Sequence, residues 1–390
     1  MSADVIIVGG GIVGVSTAYH LAACGRGVLL LERGRIGDPP PRSSSSDVAK
    51  IFRSAYGEDR HMTRLCRASR AWWRTFEQLS GTPLFCPQPM LVGGATDPLL
   101  VERWSDRQAA SWAAQSFGVL ESEGIDASLV TAADVPALFP GVVCPPKCDV
   151  ALIDRSAGLI RAATAVVEIS RLAQAAGAEI VEQAPVAGLV SSDGAVHGVV
   201  VGDRPVLAPR IVLAAGAWNL DLWPSLRAHV VVTRQQIVHL GPADQRHQLP
   251  NMPTVVDLDR RRYVYRTPDG GALAIADDDA QGASRLVGAG EIPDGVDGEF
   301  WDEAERFAGS VVTGAPPLER QAGKSCRYTS VPNQRYVLLR ERGAVVVSAC
   351  SGHGFKNGPS IGLAAAHLAM GADLQSLSPA FATSLAAVGD

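Results

Sequence analysis

No stretch of this 390-residue chain approaches the roughly 18 consecutive apolar residues of a membrane-spanning helix, although 47% of it is hydrophobic. Positive charge is not in excess either. Thirty-five Lys and Arg stand against 40 Asp and Glu, a formal net charge of −5. That removes the electrostatic case for binding nucleic acid or an anionic membrane. Cysteines of a disulfide framework are lacking. The seven present (Cys24, Cys66, Cys86, Cys144, Cys148, Cys326 and Cys350) are an odd number in a long chain, which fits a reducing cytoplasm. No second cysteine or histidine pair follows Cys144 and Cys148, so they read as free thiols in a loop and not as a zinc site. The eight histidines are scattered, with no metal-ligand cluster and no Ser-His-Asp arrangement. There is no internal repeat. The first apolar run starts at Val5 and leads straight into glycines, so no cleaved signal peptide is expected.

What is present begins within the first ten residues. Val5-Ile6-Ile7-Val8 is followed by Gly9-Gly10-Gly11-Ile12-Val13-Gly14, a helix-like stretch to Leu21, a second apolar run from Val28 to Leu31, and then Glu32. This is the strand, glycine turn, helix, strand and acid of a dinucleotide-binding βαβ unit. Gly9 permits the tight turn, Gly11 lets backbone approach a pyrophosphate, and Gly14 allows helix to pack on strand. The helix N-terminus offers free N–H groups to phosphates. Glu32, 18 positions after Gly14, can accept from ribose hydroxyls. An acid there disfavours a 2′-phosphate, leaving FAD or NAD.

Further on, a polar loop at 39–46 is expected to face the cofactor. Apolar spacing at Leu65, Ala68, Trp72, Phe76 and Leu79 predicts a helix over 62–79 with that face buried. Residues 84–94 read as an edge strand because of Pro87 and Pro89. Helices are expected at 101–124, from about Arg161, at 302–311 and at 359–370. Strands are expected at 179–181, 196–201, 211–218, 230–232, 237–240, 263–265, 272–276, near Val287, at 336–339 and at 344–349. The pattern predicts an α/β chain in which an FAD-binding, Rossmann-like, doubly wound domain (1–82, 150–226 and 322–390) is interleaved with a β-rich substrate domain (83–149 and 227–321).

Two C-terminal pieces narrow the reading. Lys324-Ser325-Cys326-Arg327-Tyr328-Thr329 precedes Ser351-Gly352-His353-Gly354-Phe355-Lys356. With the N-terminal glycines, Lys50-Ile51-Phe52-Arg53, Ala55-Tyr56-Gly57-Glu58 and Gly216-Ala217-Trp218-Asn219, the chain resembles the monomeric sarcosine oxidase and N-methyltryptophan oxidase family over essentially its whole length. These are FAD-dependent amine oxidases of the D-amino-acid-oxidase-like superfamily. The resemblance implies a thioether from Cys326 to the flavin, and a substrate carboxylate held by Arg53 and Lys356. Lys50 takes the place of an arginine beside the ring, and Tyr263, Tyr265 and Tyr328 are candidate pocket walls. His353 reads as a turn residue near the flavin, not a general base. The expected cofactor contacts are Gly9, Gly11, Ile12, Val13, Gly14, Glu32, Arg33, Ser44, Ser45, Lys50, Val186, Ala215, Gly216, Trp218, Cys326, Gly352, Gly354, Phe355 and Lys356, with no metal.

The expected reaction is oxidation of a C–N bond in an amino acid, N-alkyl amino acid or cyclic imino acid, by a monomer that uses oxygen as acceptor. Departures from the family put the acceptor in question. The family's oxygen-activating lysine falls at Ala274 and an active-site histidine near Asp278, while Ser43 to Ser46 replace a histidine-rich stretch. A dehydrogenase passing electrons to a protein or quinone is the first alternative, and a non-catalytic flavin-binding subunit the second.

Overall fold

The structure, a computed structural model, describes residues 3–37, 43–45, 47–94, 112–145, 150–244, 246–277, 285–286, 295–373, 376 and 378–382. Its first layer is a seven-stranded sheet in the order Phe381–Ala382, Tyr336–Glu341, Ala344–Ser348, Arg210–Leu213, Val5–Val8, Val28–Leu31, Glu179–Val181. From Ala344–Ser348 to Glu179–Val181 every pairing is parallel. Parallel strands are buried on both faces, which is why Val5–Val8 reads as unbroken apolar sequence. The period of two then divides it. Val5 and Ile7 point into the core beneath the helices Ile12–Ala23, Ala162–Ala175 and Gly358–Ala369. Ile6 and Val8 point into a second core covered by the antiparallel meander Val186–Ser192, Ala195–Val201 and Arg204–Leu207.

Helix Gly358–Ala369 lies close on Ile12–Ala23 because two glycines let it. A Cβ on Gly358 would stand 2.4 Å from Ile12 Cγ1, and one on Gly362 2.8 Å from the Thr17 nitrogen. The expected helix over 62–79 forms as Arg60–Ser80, capped by the Asp59 carboxylate and by Gly81 in the left-handed region. Its buried face is turned from the expected one. Met62, Leu65, Cys66, Ser69, Trp73 and Phe76 face inward, whereas Ala68 and Leu79 are exposed. Two hydrogen bonds set that rotation: Trp73 Nε1 donates to the Lys356 carbonyl at 2.7 Å, and Ser69 Oγ to Ser360 Oγ at 2.8 Å.

The second large layer is a nine-stranded sheet built on Val231–Pro242, which pairs antiparallel along its length with Leu318–Ser330. Strands expected at 230–232 and 237–240 are thus one continuous strand. Leu318–Ser330 itself was not expected, because its outer half is charged and exposed. It and Val150–Asp154 pair within this sheet, although both extend into segments that sequence assigns to the FAD-binding unit. Helix Gly298–Val311 covers one face through Phe300, Phe307 and Val311. The other face looks back at Lys50–Phe52 and Gly158–Ile160, which pair in a small separate sheet. The first half of the helix expected at 101–124 lies outside the described residues; Trp112–Ser122 forms it thereafter. Val287, Cys148, Ser46 and Asp278 also lie outside them.

Candidate active site

One cavity of about 770 Å³ runs from the carboxyl end of the parallel sheet to the inner face of the nine-stranded sheet. Gly9, Gly11, Ile12, Val13, Glu32, Arg33, Ser44, Ser45, Lys50, Arg53, Val186, Ala215, Gly216, Trp218, Tyr328, Gly352, His353, Gly354, Phe355 and Lys356 all line it.

At the sheet end, Gly9 has φ +105, and a side chain on it would meet the Ala214 carbonyl oxygen at 2.6 Å. Gly14 does not line the cavity; its missing Cβ would sit 1.8 Å from the Gly9 oxygen, so it seats the helix on the turn. Ser45 Oγ accepts from the Ile12 nitrogen at 3.3 Å, beside the helix start. Glu32 takes the Gly10 nitrogen on one oxygen (2.6 Å) and the Gly34 nitrogen on the other (2.8 Å). Each carboxylate oxygen accepts more than one hydrogen bond, so capacity for a ribose hydroxyl remains. Trp218 carries the Arg33 guanidinium 3.6 Å from its ring centre and that of Arg327 at 4.9 Å.

At the other end the turn through Gly352 (φ +72) and Gly354 leads into the Gly358–Ala369 helix. A Cβ on Gly354 would stand 1.7 Å from the Ala349 oxygen, so glycine is required there. Phe355 stacks on Trp73 at 6.1 Å. Lys356 is buried, and its Nζ donates to the His353 carbonyl at 3.1 Å. His353 Nε2 faces the Gln334 carbonyl at 3.1 Å, where a nitrogen must donate. That leaves Nδ1 as acceptor, with the Tyr336 hydroxyl at 2.7 Å and the Tyr56 hydroxyl further off at 3.2 Å sharing its one lone pair. Burial, and then the positive charge of Lys356 and Arg53, hold the imidazole well below its ordinary pKa. His353 is therefore neutral and holds tyrosines in place. Tyr56 in turn meets both cations: Arg53 lies 4.4 Å and Lys356 5.5 Å from its ring centre. Arg53 also donates to the Ala55 carbonyl at 2.5 Å and approaches Trp112 at 5.6 Å.

Between these ends sits a group that local sequence does not announce. The Asp47 carboxylate, 4% exposed, contacts the ammonium groups of both Lys50 and Lys324, the latter at 2.5 Å. Burial works to raise Asp47, but the two lysines outweigh it and hold the carboxyl at about 2. Cys326 shares a strand face with Lys324 and Tyr328 and packs against Tyr328 and Cys350. Burial pushes its thiol up to about 12, against the opposing pull of Lys50 and Lys324. Thioether chemistry requires an accessible thiolate; this thiol is 5% exposed. Tyr265 also departs from expectation. It is 1% exposed, stacked behind Tyr263, with its hydroxyl donating to the Ala49 carbonyl at 3.1 Å. Tyr263, not Tyr265, reaches the cavity wall. Ala274 is fully buried against the same patch, with Ala49, Ile237 and Tyr265.

The long cavity, a glycine cradle that any Cβ would fill, and N–H groups and guanidinium ions at one end fit a dinucleotide with its anionic diphosphate. Comparison with known proteins agrees. Residues 4–368 match the family described as FAD dependent oxidoreductase. The chain is 28% identical to monomeric sarcosine oxidase of Streptomyces avermitilis over 382 residues, covering 94% of this chain and 93% of that one. It is 25% identical to N-methyl-L-tryptophan oxidase of Citrobacter koseri, covering 98% and 97%. Among solved structures, the open form of NikD, an unusual amino acid oxidase essential for nikkomycin biosynthesis, superposes with a TM-score of 0.79 at 22% identity, covering 97% of each chain. A match along nearly the whole length, with the cradle where that family needs it, makes this chain a member of the FAD dependent oxidoreductase family.

Proposed function

We propose that this enzyme oxidises the C–N bond of an amino acid, N-alkyl amino acid or cyclic imino acid. The observation that carries the reading is the placement of Arg53 and Lys356 about one ring, Tyr56, in the cavity that also holds the dinucleotide cradle. A guanidinium and an ammonium brought together at one ring suit a substrate carboxylate. The relatives named for sarcosine and N-methyltryptophan act on amines that carry one.

Bound at the glycine cradle, FAD would supply the redox chemistry, as acceptor of the hydride equivalent from the C–H bond beside the substrate nitrogen. The protein's part is positioning and field. Arg53 and Lys356 fix the carboxylate, and Tyr56 and His353 fix those cations. Lys50, held by Asp47, keeps a positive charge on the cavity wall. Cys326 carries the flavin through a thioether, helped by Lys50 and Lys324, whose charge opposes the effect of burial on its thiol. Segments 1–82, 150–226 and 322–390 bind the cofactor and 83–149 with 227–321 the substrate, apart from the two strands that pair across that division. The enzyme works as a cytoplasmic monomer and passes its electrons to oxygen, giving hydrogen peroxide. A dehydrogenase is favoured by one observation, the small apolar Ala274 in place of a lysine. A non-catalytic flavin-binding subunit has no use for Arg53 and Lys356 at the cavity. The visible spectrum of the purified protein, before and after a panel of amino and imino acids, tests the reading: bleaching supports it, and an unchanged spectrum with every compound rejects it.

A further inference from the structure

Among the described residues Arg327 is one of the most deeply buried charged groups, at 2% exposure, yet it lines the cavity. It stands opposite the glycine cradle. The Ser44 hydroxyl donates to its carbonyl, and the next residue, Ser45, accepts from the Ile12 nitrogen at the helix start. Its guanidinium lies over Trp218, which also carries Arg33. Trp218 belongs to the turn that begins at Ala215, whose Cα would be 2.9 Å from a Cβ on Gly9. Arg327, Arg33, Ser45 and the helix N-terminus therefore converge on one region.

Glu32 holds the Gly10 and Gly34 nitrogens, and Asp221 pairs with Arg227 at 2.5 Å. Arg327 brings a planar fork of N–H donors to the cavity wall. We propose that Arg327 binds the diphosphate of FAD, clamping it against the start of the Ile12–Ala23 helix with Trp218 as the fixed plate behind it. Arg327 lies in the buried inner half of strand Leu318–Ser330, three positions before its end, where a guanidinium needs a polar or anionic partner. The inference needs only FAD and does not depend on the substrate or on the thioether.

The test is made in a Cys326→Ser background, where no thioether can form and retention reports noncovalent contacts alone. Protein freed of flavin is titrated with FAD and with riboflavin, which has no phosphate, and binding is read from flavin fluorescence. Arg327→Met should weaken FAD binding roughly 10- to 100-fold, the scale of a lost charge-assisted hydrogen bond, and leave riboflavin binding unchanged. Arg327→Lys, which keeps the charge, should recover part of the loss. Unchanged FAD binding in both variants overturns the proposal. So does riboflavin weakened as much as FAD, which would reduce Arg327 to packing against Trp218.

Discussion

The Tyr56 hydroxyl lies 3.2 Å from Nδ1 of His353, and this contact fixes the ring about which Arg53 and Lys356 are arranged. Two like charges brought near one another in a buried site would repel. Here each is offset by a π face and by a backbone carbonyl, Ala55 for one and His353 for the other. Removing either cation should therefore be costly for a carboxylate ligand. Arg53→Ala and Lys356→Ala should each lower kcat/KM by about 10²-fold or more, since losing one side of a buried charge pair costs roughly 2–5 kcal/mol. Steady-state kinetics with the best substrate of the panel measures this. Unchanged values in both variants would mean that no carboxylate is held there.

His353 should behave as a positioning residue. The acceptor nitrogen of its neutral ring faces the Tyr336 and Tyr56 hydroxyls, and burial keeps it unprotonated. His353→Asn should raise KM through a loosened Tyr56 without introducing or removing a break in the pH profile of kcat. The disappearance of a break near neutral pH would instead make the imidazole a proton carrier in the reaction.

If Cys326 carries the flavin, denatured and desalted protein stays yellow and weighs more by the mass of FAD, and Cys326→Ser releases the flavin. Acid precipitation that frees all flavin from the unmodified protein would contradict the thioether.

The buried Asp47 makes acid stability a readout of its ion pairs. Its folded-state carboxyl, at about 2, lies below the ordinary value of 3.8. An unfolded chain thus takes up the proton first as pH falls. The pairing contributes fully above pH 4, roughly 2 kcal/mol, and is lost as pH drops from about 4 to about 2. Denaturant unfolding across that range should show Asp47→Asn less stable at neutral pH, with a shallower loss in acid. The same variant raises the net charge of the cluster by one, and should speed reoxidation of the reduced enzyme by oxygen about tenfold through stabilisation of developing superoxide. Stopped-flow mixing with air reads the rate; a slower or unchanged rate would remove the cluster from oxygen chemistry.

Both ends of the cavity were legible in sequence because they are made by contiguous residues. Gly9 to Gly14 and Gly352 to Lys356 each impose their own backbone, whatever surrounds them. What joins distant segments was not. Asp47 meets Lys324 across 277 positions, and no local pattern marks either as a partner. The turned face of helix Arg60–Ser80 has the same origin. Apolar spacing chose Ala68 and Leu79, but Ser69 and Trp73 turn inward to hydrogen-bond the helix near residues 356–360. Strand Leu318–Ser330 was hidden by its charged outer half, and only pairing with Val231–Pro242 reveals it. Tyr265 shares the strand face of Tyr263, yet it stands behind that ring with its hydroxyl tied to the Ala49 carbonyl, a long-range contact no local pattern marks.

The most direct test of the proposed function is anaerobic reduction of the bound flavin, followed by absorbance. It compares N-alkyl amino acids with the same amines lacking the carboxylate. Oxidation directed by Arg53 and Lys356 predicts rapid bleaching by at least one carboxylated amine, and bleaching slower by about 10²-fold or more once the carboxylate is removed. Flavin that stays oxidised with every amine, or that is reduced equally fast with and without the carboxylate, would contradict it.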